Sequence, residues 1–146
     1  MRQTSASVEA AELAATLRPP LLRLVRTIRN QRVDTSITLT HLAALGTLLA
    51  RGPMSPGELA TVERVQPPSM TKVLGRLEEA GLIERTPHPF DGRQSVVSIT
   101  TAGRRLCAAE RRARTAWLST RLDQLSPGER DLLRQVAPVL DKLASS

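Results

Sequence analysis

Hydroxyl, ammonium and guanidinium groups recur along one stretch near the middle of the chain, residues 67–80. Ser69, Thr71 and Lys72 alternate with apolar residues, and Arg76 follows Lys72 after about one helical turn. Serine and threonine hydroxyls and a lysine suit base edges and phosphates, so the stretch is typical of a helix that reads a major groove of DNA. An amphipathic helix whose polar face only contacts water fits the same spacing. On either interpretation the core-facing residues are Met70, Val73, Leu74 and Leu77.

A second group of polar residues lies at a predicted hairpin tip, where Asp91 and Arg93 flank Gly92. An Asp-Gly pair between two short β-rich runs indicates a hairpin. An arginine on a projecting loop suits a narrow minor groove, and the Asp91 carboxylate could orient the Arg93 guanidinium. The alternative is a routine turn in which Asp91 hydrogen-bonds its own backbone.

Other kinds of site find little support in the sequence. His41, His88 and Cys107 are too scattered to predict a metal site. We find no phosphate loop, nucleophile elbow or paired carboxylates, so we expect no catalytic residues, no enzyme activity and no cofactor. The single cysteine excludes an intrachain disulfide, and we expect Cys107 to be a buried, inert thiol.

The charge balance points to a polyanionic partner. The chain of 146 residues has 21 basic and 14 acidic side chains, which gives a formal net charge of +7. Such an excess predicts nucleic acid or an anionic membrane surface, although a GC-rich coding bias would also explain why nineteen of the basic residues are arginine. Residues 40–103 carry six groups of each sign, so DNA contacts there must depend on placement. With Phe90 and Trp117 as the only aromatic residues, stacking on single strands or RNA is disfavoured.

Length and composition predict one compact domain. A hydrophobic content of 40% is sufficient for a core. No apolar run approaches the roughly 18–20 residues of a membrane-spanning helix, and residues 1–15 lack the features of a secretory signal. We therefore expect a soluble cytoplasmic protein without a membrane partner.

Helical periodicity and capping residues predict the first three helices. An apolar stripe at steps of three and four runs over residues 13–28, and Pro19-Pro20 within it predicts a kink or a helix start. A second helix begins after Thr38 and ends at Gly52-Pro53. Residues 55–58, Ser-Pro-Gly-Glu, form a capping box for a short third helix.

The second half predicts one more helix, a hairpin and two further helices. The residue after the helix of 67–80 is Gly81, a left-handed stop, and apolar Leu82 follows it as in a Schellman ending. Strands are predicted at 82–86 and 94–99. Thr100 and Thr101 can cap a long helix, and a second capping box at 126–129 opens the last one. The fold class is mainly α (α+β): about six helices and a two-stranded β-wing in a winged helix-turn-helix.

From about residue 37 to residue 104 the chain resembles the MarR family of winged-helix transcriptional regulators. The matching stretches include ITLTHLAALGTLLARGPMSPGELA and VQPPSMTKVLGRLEEAGLIERTPHPFDGRQSVVSITTAGRRL, and the most specific pieces are LEEAGLIER, DGRQ and ITTAGR. The long first helix and the two last helices also resemble the family. The resemblance implies a single MarR-like domain over 1–146, with a DNA-binding part at 37–103 and dimerisation helices at 8–32 and 104–146.

The resemblance implies a homodimer that binds a pseudo-palindromic operator in double-stranded DNA. Carried over by position, the DNA-binding residues are Pro67, Pro68, Ser69, Thr71, Lys72, Arg76, Asp91 and Arg93. The sequence departs from the family pattern at Gln66 and Pro68, where small hydroxyl residues are frequent.

The family also places an effector pocket between the dimer helices and the winged helix, often for small aromatic or phenolic acids. Residues that could line it here are Arg23, His41, Leu45 and Trp117. The predicted function is a DNA-binding transcriptional regulator, a repressor released by such an effector. The alternative is a winged-helix module that binds protein and not DNA, which the neutral middle segment favours.

Overall fold

The computed structural model describes residues 2–145, and the side chains of residues 7–145. This range contains six helices and one two-stranded antiparallel sheet. In chain order the elements are α1 (Arg2–Arg29), α2 (Leu39–Arg51), α3 (Pro56–Glu63), α4 (Pro67–Glu79), β1 (Ile83–Pro87), β2 (Ser95–Ile99), α5 (Thr101–Asp123) and α6 (Pro127–Ala144). The predicted fold class is confirmed, and none of the described helices combines the length and apolar character needed to cross a membrane.

Local capping signals fix most helix ends where the sequence predicted them. Thr38, Ser55 and Ser126 each accept a hydrogen bond from the backbone N–H three residues later, and the side chain of that later residue accepts one in return. The backbone and hydroxyl of Ser55 donate to the Glu58 carboxylate and lower the pKa of Glu58. Each box satisfies orphan donors of a helix N-terminus, which explains why the starts of α2, α3 and α6 were predictable.

The end of α4 is a Schellman motif, as predicted. Gly81 has φ of +71°, which favours glycine. The N–H of Leu82 donates to the carbonyl of Leu77 at 2.9 Å, and the N–H of Gly81 donates to the carbonyl of Glu78 at 2.9 Å. The motif turns the chain directly from the end of α4 into β1.

The predictions at the two prolines and at the hairpin have different outcomes. At Pro19-Pro20 the helix start is wrong, because α1 runs through both prolines from Arg2 to Arg29, and the kink stays a prediction. The strands form the expected hairpin, with Ile83 opposite Ile99 and Pro87 opposite Ser95. The connecting loop spans residues 88–94, one position later than the predicted 87–93 and of the same length, and Gly92 lacks a positive φ.

The described chain divides into two compact units. One comprises residues 32–112, and the other comprises the chain up to Gln31 together with the chain from Ala113 onward. The first unit contains a continuous apolar core drawn from α2, α3, α4 and both strands. Its buried members are Ile37, Ala44, Leu45, Leu48, Leu59, Ala60, Met70, Val73, Leu74, Leu77, Leu82, Ile83, Val97 and Ile99.

A buried carboxylate closes this unit at its two chain ends. Glu110 on α5 is only 2% exposed and accepts hydrogen bonds from the backbone N–H groups of Val33 and Asp34 at 3.1 and 3.2 Å. Its second oxygen lies 3.6 Å from Nε of Arg32. Arg32 also donates to the carbonyls of Asp34 and Ile37. A buried charge is tolerated only with such partners, so Glu110 fixes the segment before α2 against α5.

The other unit leaves its apolar side chains exposed. No residue of α6 is buried among those described. On α1 and α6 the large apolar side chains that remain exposed are Val8, Leu13, Leu17, Leu22, Leu24, Val25, Leu132, Leu133, Val136, Val139, Leu140 and Leu143. One chain alone therefore leaves these two amphipathic helices without a cover.

Gly103 provides the sharpest test of this packing. A Cβ on Gly103 would lie 2.3 Å from the carbonyl oxygen of Leu82 and 2.7 Å from Cγ1 of Ile99. Since overpacking a core commonly costs about 1–3 kcal/mol, we expect Gly103→Ala to lower the free energy of unfolding by that amount. Urea denaturation measures the change.

Gly46→Ala is the matched control. Gly46 lies on the exposed side of α2, and nothing lies within 4 Å of its added Cβ. Alanine is the better helix former, so this variant should gain about 0.5–1 kcal/mol. Equal urea midpoints for the two variants would contradict the close approach of α5 to Leu82.

Candidate nucleic-acid interface

The faces of α4 divide as the sequence predicted. Met70, Val73, Leu74 and Leu77 are buried in the core. Every predicted DNA-binding position on this helix is exposed: Pro67, Pro68, Ser69, Thr71, Lys72 and Arg76. Burial of one face fixes the direction of the other, so these side chains form a single outward surface, called here the α4 polar face.

The start of α4 explains how the helix begins without the small hydroxyl residues that the family often has at the positions of Gln66 and Pro68. No side chain caps the helix at Gln66, but two prolines occupy its first two positions. Proline has no N–H and holds a helical φ, so it needs no cap there. The N–H of Met70 already donates to the carbonyl of Gln66 at 3.0 Å. Within the described part of the chain the N–H of Ser69 has no hydrogen-bond acceptor, so the first turn presents this backbone donor beside the Ser69 hydroxyl.

The two hydroxyls of the α4 polar face are not equivalent. Thr71 Oγ1 donates to the carbonyl of Pro67 at 3.0 Å, so its proton is used within the helix. Its oxygen can still accept, and its methyl group stays outward. No hydrogen bond within the described part of the chain involves the Ser69 hydroxyl, which leaves both its donor and acceptor capacity for a ligand.

Acidic groups mark the far end of α4. Arg76 Nη1 lies 3.9 Å from Glu79 Oε2, an exposed and weak pair. Glu78 accepts a 3.0 Å hydrogen bond from Nε of Arg85, which ties β1 to α4. The positive and hydroxyl groups, at Ser69 to Arg76, thus lie on the N-terminal side of these acidic groups.

The loop of residues 88–94, called here the wing tip, is held by backbone bonds. The Asp91 carboxylate accepts the backbone N–H of Arg93 at 3.1 Å. The N–H of Gln94 donates to the Asp91 carbonyl, and the N–H of His88 donates to the Gln94 carbonyl. Among the described residues no ion pair joins Asp91 to the Arg93 guanidinium. Asp91 therefore stabilises the turn through the backbone and does not orient the guanidinium of Arg93. The Arg93 side chain is exposed.

The four residues assigned to an effector are divided between the two units. His41 and Leu45 belong to the unit of residues 32–112, whereas Arg23 and Trp117 belong to the other. Leu45 is fully buried in the core and presents no surface to a ligand. The Arg121 guanidinium lies 5.4 Å from the centre of the Trp117 ring, a cation–π contact.

Two open surface cavities of the 32–112 unit lie elsewhere. One, of about 450 Å³, is lined by Arg51, Pro53, Met54, Glu58, Thr61 and Val62. The other, of about 420 Å³, is lined by residues 55–57, Gln94 and Ser95. The residues that the structure describes contain no cluster of three or more metal-ligating side chains. Cys107 is half-buried against the core rather than fully buried.

Comparison with known proteins gives these surfaces a family context. A family model described as the MarR family matches residues 37–95. An HTH-type transcriptional regulator of Mycobacterium bovis is 45% identical over 130 residues, which cover 89% of this chain and 91% of the relative. The chain belongs to the MarR family.

Solved structures show the same fold for this MarR-family regulator. A transcriptional regulator from Pseudomonas aeruginosa superposes with a TM-score of 0.83 at 31% identity, covering 94% of this chain and 97% of that one. A MepR variant of S. aureus, bound to an oligodeoxyribonucleotide, has a TM-score of 0.70 at 22% identity and covers 91% and 96% of the two chains. MarR-family regulators bind DNA and act as dimers.

Sequence reasoning missed several residues that build the MarR fold here. Met54 forms an antiparallel bridge with Val97, where each residue donates its N–H to the other's carbonyl. Glu110 stands in an arginine-rich run that is typical of a solvated helix, so nothing local signalled its burial. In the wing tip, His88 Nδ1 accepts the backbone N–H groups of Phe90 and Asp91, and these bonds depend on a loop geometry that the sequence does not predict.

His41 makes helix α2 of this MarR-family chain sensitive to pH. Its Nδ1 accepts the backbone N–H of Thr38 at 3.1 Å, which requires an unprotonated Nδ1. Burial, followed by the charge of Arg76, lowers the pKa of His41 below 6.5. A lowered histidine pKa adds stability above the unfolded value, and this stability is lost as pH falls through 6.5 toward the folded pKa.

His41→Gln tests this effect, because glutamine can complete a capping box without titrating. We expect the free energy of unfolding of the wild type, relative to His41→Gln, to fall between pH 7.5 and pH 5.5. His88 is present in both proteins and cancels. Parallel pH profiles from urea titrations would show that His41 does not contribute.

Proposed function

We propose that this regulator binds double-stranded DNA, with the α4 polar face in a major groove and the wing tip in the adjacent minor groove. The observation that carries the proposal is the exposure of every polar residue of α4 opposite its buried face. Thirteen helical residues span about 20 Å, and a helix of ordinary diameter fits the major groove of about 12 Å. The MepR variant bound to an oligodeoxyribonucleotide has the same fold, which supports this use of it.

Each residue receives a role from its chemistry. Ser69 and Thr71 read base edges, Ser69 as donor or acceptor and Thr71 as acceptor or through its methyl group. Lys72 contacts the groove floor or its rim, and Arg76 contacts a phosphate. Pro67 and Pro68 set the approach of the first turn to the DNA. Arg93 enters the minor groove, and Asp91 keeps the turn that presents it.

We propose a homodimer, with a second copy of this chain covering the exposed apolar side chains of α1 and α6. A buried leucine contributes about 1.5–3 kcal/mol relative to an exposed one, so the uncovered face favours association strongly. Two-fold symmetry places two α4 helices on one duplex. The operator should then be pseudo-palindromic, with half-site centres about 10 bp or one helical turn apart.

The finer function we propose is a cytoplasmic repressor without enzyme activity or cofactor. A dimer seated on an operator obstructs transcription, and a small aromatic or phenolic effector that favours another arrangement of the dimer releases it. Arg23, His41 and Trp117 are the exposed or half-buried candidates for effector contacts. The alternative, a protein-binding winged helix, rests on the balanced charge of residues 40–103.

Variants of the proposed interface should separate base readout from backbone and shape readout. Ser69→Ala should reduce the ratio of affinity for operator to affinity for random duplex, since about 1–3 kcal/mol is at stake per good base contact. Arg93→Ala should weaken both affinities by similar factors, because the minor groove distinguishes bases poorly. Asp91→Ala should cause a milder loss, because it loosens the turn but keeps the guanidinium. Competition gel shifts with DNA from upstream of the protein's own gene measure all three at one salt concentration.

Conservative variants provide the controls. Ser69→Thr keeps the hydroxyl and Arg93→Lys keeps the charge, so each should retain more binding than the alanine variant. Unchanged affinity for Arg93→Ala together with an unchanged ratio for Ser69→Ala would overturn the assignment of this surface. A log–log salt slope near zero for the wild type would favour the protein-binding alternative, since the slope grows by about 0.9 per neutralised phosphate.

A further inference from the structure

Phe90 is the most exposed large apolar side chain of the described residues, at 94%. It lies at the wing tip, three positions before Arg93, and it is the only phenylalanine of the chain. The other aromatic residue, Trp117, is half-buried. A ring this exposed contributes nothing to the core of the chain. A contact with another molecule would explain why an apolar ring lies at this position.

The wing tip is built to present this ring. His88 Nδ1 accepts the backbone N–H of Phe90 at 3.2 Å and that of Asp91 at 3.2 Å. The His88 and Phe90 rings meet edge to face, with centroids 6.2 Å apart and an angle of 61° between their planes. His88 therefore anchors the backbone at Phe90 and makes one edge contact with its ring, while nearly all of the ring faces solvent.

We propose that Phe90 is a DNA contact, an apolar wedge that enters the minor groove beside Arg93 and packs against a base step. This inference rests on the proposed DNA-binding function. Proteins that bind the minor groove combine cationic side chains with inserted phenylalanine or leucine, which partly unstacks a step and bends the duplex. Arg93 supplies the cation and Phe90 the wedge, both on one loop of seven residues. Flexible pyrimidine–purine steps should be preferred at the contact, because they unstack most easily.

The contacts of His88 with Phe90 give His88 a role in the same proposal. A loop with an anchored backbone loses less conformational freedom on binding than a free one, so His88 acts as a positioning residue for Phe90. Removing His88 should loosen the tip and reduce what Phe90 contributes. The two substitutions should then be non-additive, as expected for residues in direct contact.

The test uses the full-length protein and a duplex from upstream of its own gene. Phe90→Ala should weaken binding by at least about fivefold, given the size of base–aromatic contacts. Phe90→Leu keeps an apolar wedge and should retain most of the affinity. The bend of the duplex, measured by circular-permutation gel shifts, should be smaller with Phe90→Ala than with the wild type. In a His88→Ala background, Phe90→Ala should have a smaller effect on both readouts.

The outcomes separate this inference from the function on which it rests. If the wild type does not bind the duplex, the proposed DNA-binding function fails, and the wedge fails with it. If the wild type binds and Arg93→Ala weakens it, but Phe90→Ala matches the wild type in affinity and bend, only the wedge is overturned. A Phe90→Ala variant that changes the oligomeric state and leaves affinity per dimer unchanged would also overturn it, since the ring would then contact protein.

Discussion

Burial of four apolar side chains fixes the rotation of α4 about its own axis, and the candidate interface depends on that constraint. Met70, Val73, Leu74 and Leu77 pack into a core shared with α2, α3 and β1. Successive residues of a helix are separated by about 100°, so committing these four to the core leaves Ser69 and Lys72 outward. The outward direction of these two side chains therefore does not depend on the charges of the segment. This explains how a segment with balanced charge can still present a basic, hydroxyl-rich surface to solvent.

Hydrogen bonds of Thr100 form a joint between α4, β2 and α5, and this joint fixes the direction of the wing relative to α4. The Thr100 hydroxyl donates to the carbonyl of Gly81 at 2.7 Å and accepts the N–H of Gly103 at 3.2 Å. The backbone N–H of Thr100 donates to the carbonyl of Leu82 at 3.1 Å. The end of α4, the end of β2 and the start of α5 therefore meet at one residue. Because the strands leave from this joint, the wing tip has a set direction relative to α4 within the 32–112 unit.

The parts of the fold that could be predicted are those with local causes. Capping boxes at Ser55 and Ser126 and the glycine stop at Gly81 are decided by residues within one turn, and the structure has them at the predicted places. The apolar spacing of α4 also predicted which of its side chains are exposed. Of the two outcomes expected at prolines 19 and 20, the helix start does not occur, because a proline penalty is a local preference that a long helix can override.

The remaining features depend on contacts between distant residues. Glu110 meets Val33 across 77 positions, and the arginine-rich run in which it stands gives no local sign of its burial. The Asp91 carboxylate could have met either the guanidinium or the backbone of Arg93, and only the loop geometry decides for the backbone. The apolar side chains of α6 lie exposed in one chain, and their spacing in the sequence does not say what covers them.

We propose that two copies of this chain present two α4 helices to one duplex. Multi-angle light scattering of the protein mixed with a duplex from upstream of its own gene measures this stoichiometry. We expect a complex whose mass equals two chains and one duplex, and a free protein whose mass equals two chains at micromolar concentration. A complex containing a single chain, or a protein that stays monomeric and elutes apart from the duplex, would contradict it.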